Sequence, residues 1–333
     1  MSLETAETID VHAHAVLEET MGAAGQHGPE LTRDEPPMFR VGEYELHGVR
    51  YRGSAFMDPD IRIAAMDQVG IDYQVLSPNP LTYFHFIDDA EALQFCGVHN
   101  DALANVVSGH PDRLGAFAAV PMQNIDLAIA ETERAVTELG FVGPYIGTDF
   151  GMSLNDPALN PFYEKLTELD VPLFIHPAPA NIDGPAGDKN LQQFDLDIIV
   201  GFAASETIAV CTLIYGGVLE RFPDLDVCLS HGGGFTGYAF GRMALAARKR
   251  PWTSDALQQD GAFEELLHRL WFDVHLHSDD ALDLLKKRVN PGHLVFGTNF
   301  AGWDQQQYNV REEAAPYADN ARQLLRGQRC RRR

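Results

Sequence analysis

Two histidines one residue apart, His12 and His14, follow an apolar lead-in from Thr8 to Val11. Side chains alternate along an extended strand, so both imidazoles face one side. There they can grip one divalent metal. A solvated turn with two stray histidines gives the same local pattern, so the pair takes its meaning from the rest of the chain. Three later apolar runs end in comparable fashion: Leu173-Phe174-Ile175-His176-Pro177, Cys228-Leu229-Ser230-His231-Gly232-Gly233-Gly234 and Phe296-Gly297-Thr298-Asn299-Phe300. Each histidine alone suits a satisfied core or loop position. Gathered at one end of a sheet, His12, His14, His176 and His231 can hold a borderline metal with one position left for water.

The elements that must position them are legible as eight short apolar runs: Thr8–His12, Ile71–Ser77, Leu114–Val120, Phe141–Gly147, Val171–His176, Leu225–Ser230, Leu270–Val274 and His293–Gly297. Runs without strict alternation suit strands buried on both faces. Amphipathic stretches lie between them, at Asp60–Val69, Ala90–Val107, Leu127–Leu139, Asn160–Leu169 and Asp279–Arg288. Strands alternating with helices predict an α/β chain with a parallel sheet. Eight units predict a closed (β/α)8 TIM barrel, with functional residues at the C-terminal strand ends. An open doubly wound sheet is the alternative, but no Gly-rich phosphate loop follows the first strand. Residues 15–57, rich in Gly, Pro and charge, form an insertion after strand 1. It is placed to cover the C-terminal face as a lid, and its segments around Phe39–Val41 and Tyr44–Arg52 suit a small hairpin. Phe194–Leu219 reads as a helical segment too apolar for a solvated surface, buried against the barrel or at a subunit interface. The whole reads as one domain over 1–328, with a basic tail at 329–333.

The bulk numbers exclude some partners. The 333-residue chain is 45% hydrophobic with a formal net charge of −23, which repels nucleic acid and anionic membrane. The N-terminus lacks a signal-peptide pattern, and no apolar run is expected to span a bilayer. Cys96, Cys211, Cys228 and Cys330 form no C-x-x-C pair, and the first three sit in apolar surroundings. Buried free thiols suit a reducing, cytoplasmic compartment.

The ordered set of motifs resembles the amidohydrolase superfamily, and within it the α-amino-β-carboxymuconate-ε-semialdehyde decarboxylase group with its γ-resorcylate and 5-carboxyvanillate decarboxylase relatives. The set comprises Asp10-Val11-His12-Ala13-His14, Asp58-Pro59-Asp60-Ile61-Arg62 with Met66-Asp67-Gln68-Val69-Gly70, Val120-Pro121-Met122-Gln123, Phe174-Ile175-His176-Pro177, His231-Gly232-Gly233-Gly234 with Gly241-Arg242, and Phe296-Gly297-Thr298. The resemblance implies a TIM barrel with one divalent metal held by His12, His14 and His176, and His231 beside it moving protons. It implies that Arg242 reaches the substrate carboxylate of a neighbouring subunit, so that a homodimer is required. Arg50 or Arg52 falls where the family has another carboxylate-binding arginine. The family carries Asp after Gly-Thr as metal ligand and proton acceptor. Here that position is Asn299, whose amide oxygen can still ligate but is no base. Asp304 is a substitute carboxylate whose direction the intervening loop leaves open. Nitrogen-rich ligation favours zinc, and manganese serves some relatives.

The leading expectation is a metal-dependent non-oxidative decarboxylase of a small aromatic or muconate-like carboxylic acid. The alternatives are a metal-dependent hydrolase or hydratase, and a catalytically impaired metabolite-binding barrel that has lost the strand-eight aspartate. His85 lines the pocket or packs. Phe84, Phe174 and Trp303 supply an aromatic wall for a planar substrate or simply core. His275 and His277 make a second H-x-H, readable as a second metal site. The resemblance instead gives a histidine near there a supporting or substrate-binding role.

Overall fold

The computed structural model describes residues 2–179, 188–305 and 310–326, so the basic tail and Cys330 lie outside the described residues. The chain runs β1 (Ile9–Ala15), β2 (Glu30–Leu31), β3 (Met38–Val41), β4 (Tyr44–His47), α1 (Pro59–Val69), β5 (Tyr73–Pro78), α2 (Asp89–Gly109), β6 (Leu114–Ala116), α3 (Ile125–Thr137), β7 (Tyr145–Ile146), α4 (Asn160–Leu169) and β8 (Leu173–Ile175). It continues with α5 (Phe202–Tyr215), α6 (Val218–Arg221), β9 (Val227–Leu229), α7 (Thr236–Lys249), α8 (Ala262–Leu267), β10 (Trp271–Asp273), α9 (Asp279–Lys286), β11 (Leu294–Val295), α10 (Val310–Ala314) and α11 (Ala318–Leu324).

All eight expected strands are present, and each main-sheet pairing is parallel. They form two sheets, β1-β5-β6 and β11-β10-β9-β8-β7. Backbone hydrogen bonds cross both gaps between these sheets. Ala118 N donates to the Gly143 carbonyl and Tyr145 N to that of Ala118, each at 2.9 Å, and Val11 N donates to the Phe296 carbonyl at 3.0 Å. The strands are buried throughout; all seven residues of β1 are.

Local chemistry sets the helix ends. Asp58 caps α1 by accepting from the backbone N–H groups of Asp60 and Ile61, Pro59 opens the helix, and Gly70 closes it at φ +83°. Asn124 and Ser278 cap α3 and α9 in the same way.

β1 carries the sheet's main irregularity. Its register against β5 shifts between Asp10 and Ala13, a bulge beside the paired histidines. The His12 amide, out of the ladder, donates to Asp10 Oδ1 at 3.0 Å. The same buried carboxylate accepts from Thr298 N and Thr298 Oγ1, beyond β11, and from Gln74 Nε2 on β5. Gln74 Oε1 in turn accepts from Arg62 on α1 at 2.6 Å, and Arg62 also donates to the His14 carbonyl at 2.7 Å. Arg62 is a cation in the core, lying over the Phe300 ring. Burial lowers its pKa to about 10, with Asp10 opposing the fall.

The insertion holds an antiparallel sheet, β2-β3-β4, in which β3 pairs β4 from Met38 opposite His47 to Val41 opposite Tyr44. Its Leu31, Phe39, Val41 and Tyr51 share a cluster with Leu81, Phe84 and Phe95, so it packs on the chain that follows the C-terminal end of β5 and on α2.

One expectation is corrected. Asp197–Tyr215, 19 residues with mean hydropathy 1.9, is long and apolar enough to cross a membrane by length and composition. Glu206 sits in the middle of it, fully buried. The apolarity is instead divided. Ala209, Val210, Leu213 and Ile214 pack into the main core, while Ile199 and Ile208 are exposed.

Candidate metal centre

His12 and His14 leave β1, and His176 follows β8 immediately. The three are buried, and their ligand atoms all lie within 4.8 Å of one another. Ring centroids are 5.2 Å apart for His12–His14, 4.9 Å for His12–His176 and 4.8 Å for His14–His176. Each Nδ1 is anchored to oxygen. His12 pairs with Asp273 Oδ2 at 2.7 Å, His14 with the Pro78 carbonyl at 3.0 Å, and His176 with the Pro177 carbonyl at 2.6 Å. Anchoring at Nδ1 fixes ring orientation and leaves the Nε2 lone pairs available. His12 Nε2 is buried with no hydrogen-bond partner among the described residues. That is costly for a structural histidine and natural for a ligand. Burial, then repulsion among neighbouring imidazoles, holds His12 and His176 well below the usual histidine pKa. His14 is lowered to about 3, chiefly by burial. Neutral imidazoles are the ligating form, so the donor set fits a borderline divalent metal.

His231 stands beside them, with its ring 5.1 Å from His12 and 5.0 Å from His176. It behaves oppositely. Burial pulls its pKa down, but the Glu206 carboxylate, in contact with Nδ1 at 2.8 Å, together with the charges of Asp273 and Asp304, raises it to about 9. Glu206 reaches across from α5, and Ser230 Oγ also donates to it. The glycines explain how α5 comes so near. His231, Gly232, Gly233 and Gly234 all have positive φ. A Cβ on Gly234 would strike the Ala203 carbonyl of α5, and one on Gly233 would lie 2.6 Å from the Phe272 ring. Only glycine lets the turn and α5 approach this closely.

Strained backbone continues around the rim. His277 and Asn299 have φ of +55° and +47°, conformations that cluster at functional sites. Asn299 Nδ2 donates to Asp304 Oδ1 at 2.6 Å, leaving its amide oxygen uncommitted by that bond. Asp304 thus turns inward. Its Oδ2 also meets Nε2 of His275 at 3.2 Å and of His277 at 3.3 Å. Burial of Asp304 is overcome by these bonds, which hold its carboxyl far below the usual range.

The remaining expected residues are more dispersed. His85 is buried, stacked on Tyr83, with neither ring nitrogen hydrogen-bonded among the described residues. Tyr83 Oη donates to the His176 carbonyl, so His85 is one ring removed from the metal histidines. Phe84 is buried in the insertion's cluster, and Phe174 lies under His12. Trp303 is 76% exposed. Arg50 forms a two-bond pair with Glu35, and Arg52 pairs with Glu18 and the Leu31 carbonyl, all within the insertion. Arg242 is exposed on α7. Three groups that sequence reasoning had given no role, Glu206, Asp273 and Asp10, orient the histidines. The signal for Glu206 was present: it is the sole charge between Ile198 and Leu219.

The parallel α/β scaffold thus brings His12, His14, His176 and His231 together at the strand ends. Comparison places the chain in a family. The amidohydrolase family matches residues 9–326, and the chain belongs to that family. It is 32% identical over 244 residues to the 2-amino-3-carboxymuconate-6-semialdehyde decarboxylase of Dictyostelium discoideum, covering 73% of this chain and 66% of that protein. It is 29% identical to the 2-keto-4-carboxy-3-hexenedioate hydratase of a Sphingobium strain, covering 70% and 66%. The matches thus span just under two thirds of the length of each. Among solved structures, an aspartate-to-asparagine mutant of the Novosphingobium aromaticivorans 5-carboxyvanillate decarboxylase superposes with a TM-score of 0.77 at 21% identity, over 96% of this chain and 97% of that one. That structure contains manganese and 3-methoxy-4-hydroxy-5-nitrobenzoic acid.

Proposed function

We propose that the chain is a metal-dependent carboxy-lyase that removes carbon dioxide, without oxidation, from a small aromatic or muconate-like carboxylic acid. The observation that carries this is the pairing of three neutral, Nδ1-anchored histidines with a fourth, His231, held as a cation by Glu206. His12, His14 and His176 would hold one divalent metal, zinc or manganese, with the Asn299 amide oxygen as a further ligand. Bound there, the metal supplies a Lewis acid that draws a substrate oxygen and the charge developing on it. When the carbon–carboxylate bond breaks, its electron pair stays on the substrate carbon. The His231 Nε2–H would give its proton to that carbon, with Glu206 stabilising the cation beforehand. Loss of carbon dioxide needs no base in this step, so Asn299 in place of aspartate is compatible with it.

We read residues 1–328 as one domain whose two sheets are arcs of an eight-stranded barrel, joined by the bonds at Ala118 and Val11. The 15–57 insertion acts as a lid over the C-terminal face. His85, with two free buried nitrogens, and His277 and Trp303 at the rim would contact the substrate. Arg50 or Arg52 would do so only on leaving Glu35 or Glu18. Arg242 is flanked on its face of α7 by Tyr238 and Leu245, 87% and 51% exposed. An apolar face around an arginine supports a homodimer in which Arg242 enters the neighbouring site. Free cysteines at 96, 211 and 228 support a cytoplasmic setting.

The test is metal content together with carbon dioxide release from aromatic and muconate acids. Release must fall with metal removal and return on reloading; release unchanged in metal-free protein refutes the reading. The hydratase relative supports a second reading, addition of water to a similar acid. Labelled water oxygen appearing in a product that keeps its carboxylate would establish it.

A further inference from the structure

We propose that His275, His277 and Asp304 form a second divalent-cation site next to the first. The motif repeats that of β1, a histidine pair one residue apart at the end of a strand. Here β10 ends at Asp273, and the two imidazoles fold to within 4.3 Å, centroid to centroid. The carboxylate comes from beyond β11. Asp304 returns across the rim so that a single oxygen, Oδ2, faces Nε2 of both histidines. One ligand atom from each of the three residues lies within 4.8 Å of the others.

The surroundings fix these groups as supporting contacts fix metal ligands. Asn299 Nδ2 holds Asp304 Oδ1 at 2.6 Å. The His275 amide is held by Asp273 Oδ1 at 3.1 Å, and the other oxygen of Asp273 anchors His12 of the first cluster. One carboxylate therefore orients both clusters. His277 is kept in place by a left-handed backbone that a histidine adopts only at a cost. The His275 side chain is fully buried and His277 is 42% exposed, so the site is closed on one side and open to the mouth on the other. Two imidazoles and a carboxylate with open positions suit zinc, manganese or cobalt(II) and leave room for a water or a substrate oxygen. With His275 5.6 Å from His12, ring to ring, a carboxylate substrate could span the two cations. The site stands on its own donors and does not depend on the decarboxylase reading.

The experiment is equilibrium dialysis of metal-free protein against cobalt(II) and manganese(II), with bound metal counted by mass spectrometry. The wild type binds two ions per chain, and His12→Ala keeps one. His277→Gly, which preserves the positive φ, and Asp304→Asn, which preserves shape, each bind one. Thermal melts check that every variant is folded. One ion per chain in the wild type that is lost in His12→Ala and kept in His277→Gly, or two ions retained by both His277→Gly and Asp304→Asn, overturns the proposal. A wild type that binds a single ion, lost in His277→Gly and kept in His12→Ala, supports this site and refutes the first centre instead.

Discussion

Glu206→Gln tests the electrostatic core of the site without changing its shape. In the native protein burial opposes protonation of His231, and the charge and hydrogen bond of Glu206 are the two largest influences that overcome it. Raising a histidine from 6.5 to about 9 corresponds to about 3 kcal/mol at 1.36 kcal/mol per pH unit. An amide removes that charge and leaves burial opposed only by the Asp273 and Asp304 charges, so His231 in the variant titrates well below its native value. The linkage has a definite sign. A folded pKa above the unfolded one stabilises fully below pH 6.5, and this is lost as pH rises through about 9. The measurement is an imidazole NMR titration of metal-free protein, with the resonance assigned by its loss in His231→Gln. The native resonance must remain protonated at pH 7.5 and that of Glu206→Gln must titrate at a clearly lower pH. A native His231 already neutral at pH 7.5, or two identical titrations, would refute the reasoning, and with it the role of His231 as proton donor.

Other outcomes follow from the geometry. Asn299→Asp brings a second carboxylate against Asp304 in place of a 2.6 Å hydrogen bond. The metal-free variant should lose about 1–3 kcal/mol at pH 7, a deficit that shrinks on acidification and on adding manganese, both read by thermal melts. Gly234→Ala forces a Cβ against the Ala203 carbonyl. It should cost more than about 2 kcal/mol by urea denaturation, whereas Gly241→Ala, with open space around it, should be near neutral. Arg242→Ala should leave the unfolding free energy within about 0.5 kcal/mol of native while raising KM. If the proposed dimer forms, its activity should partly return on mixing with His231→Ala subunits, because a mixed dimer would rebuild one intact site.

Legibility from sequence followed the range over which each feature acts. The strands were readable because burial on both faces writes an apolar run, and His12, His14, His176 and His231 were readable because each follows such a run directly. The expected strands at 114–120 and 141–147 proved longer than β6 and β7, because the chain there crosses between sheets with isolated bonds instead of a ladder. The direction of Asp304 escaped because two left-handed residues, Asn299 and Ala301, turn the loop back in a way no periodicity records. Glu206 escaped because its partner lies one helix and one strand away, though a lone charge in an apolar helix marks a buried partner. Arg50 and Arg52 were placed by alignment of the insertion, where the local carboxylates of Glu35 and Glu18 decide their orientation.

The Asp10 carboxylate has a consequence for how the molecule is made. Its partners Thr298 N and Thr298 Oγ1 lie 288 residues downstream. During synthesis the first strand therefore waits, with an ionisable group destined for the interior, until Thr298 has been translated. Contacts of such span are late and slow to form. The buried support of the histidine strand therefore cannot form until Thr298 has been made. A fragment ending before Thr298 would expose its opening strand to quality control instead of sealing it.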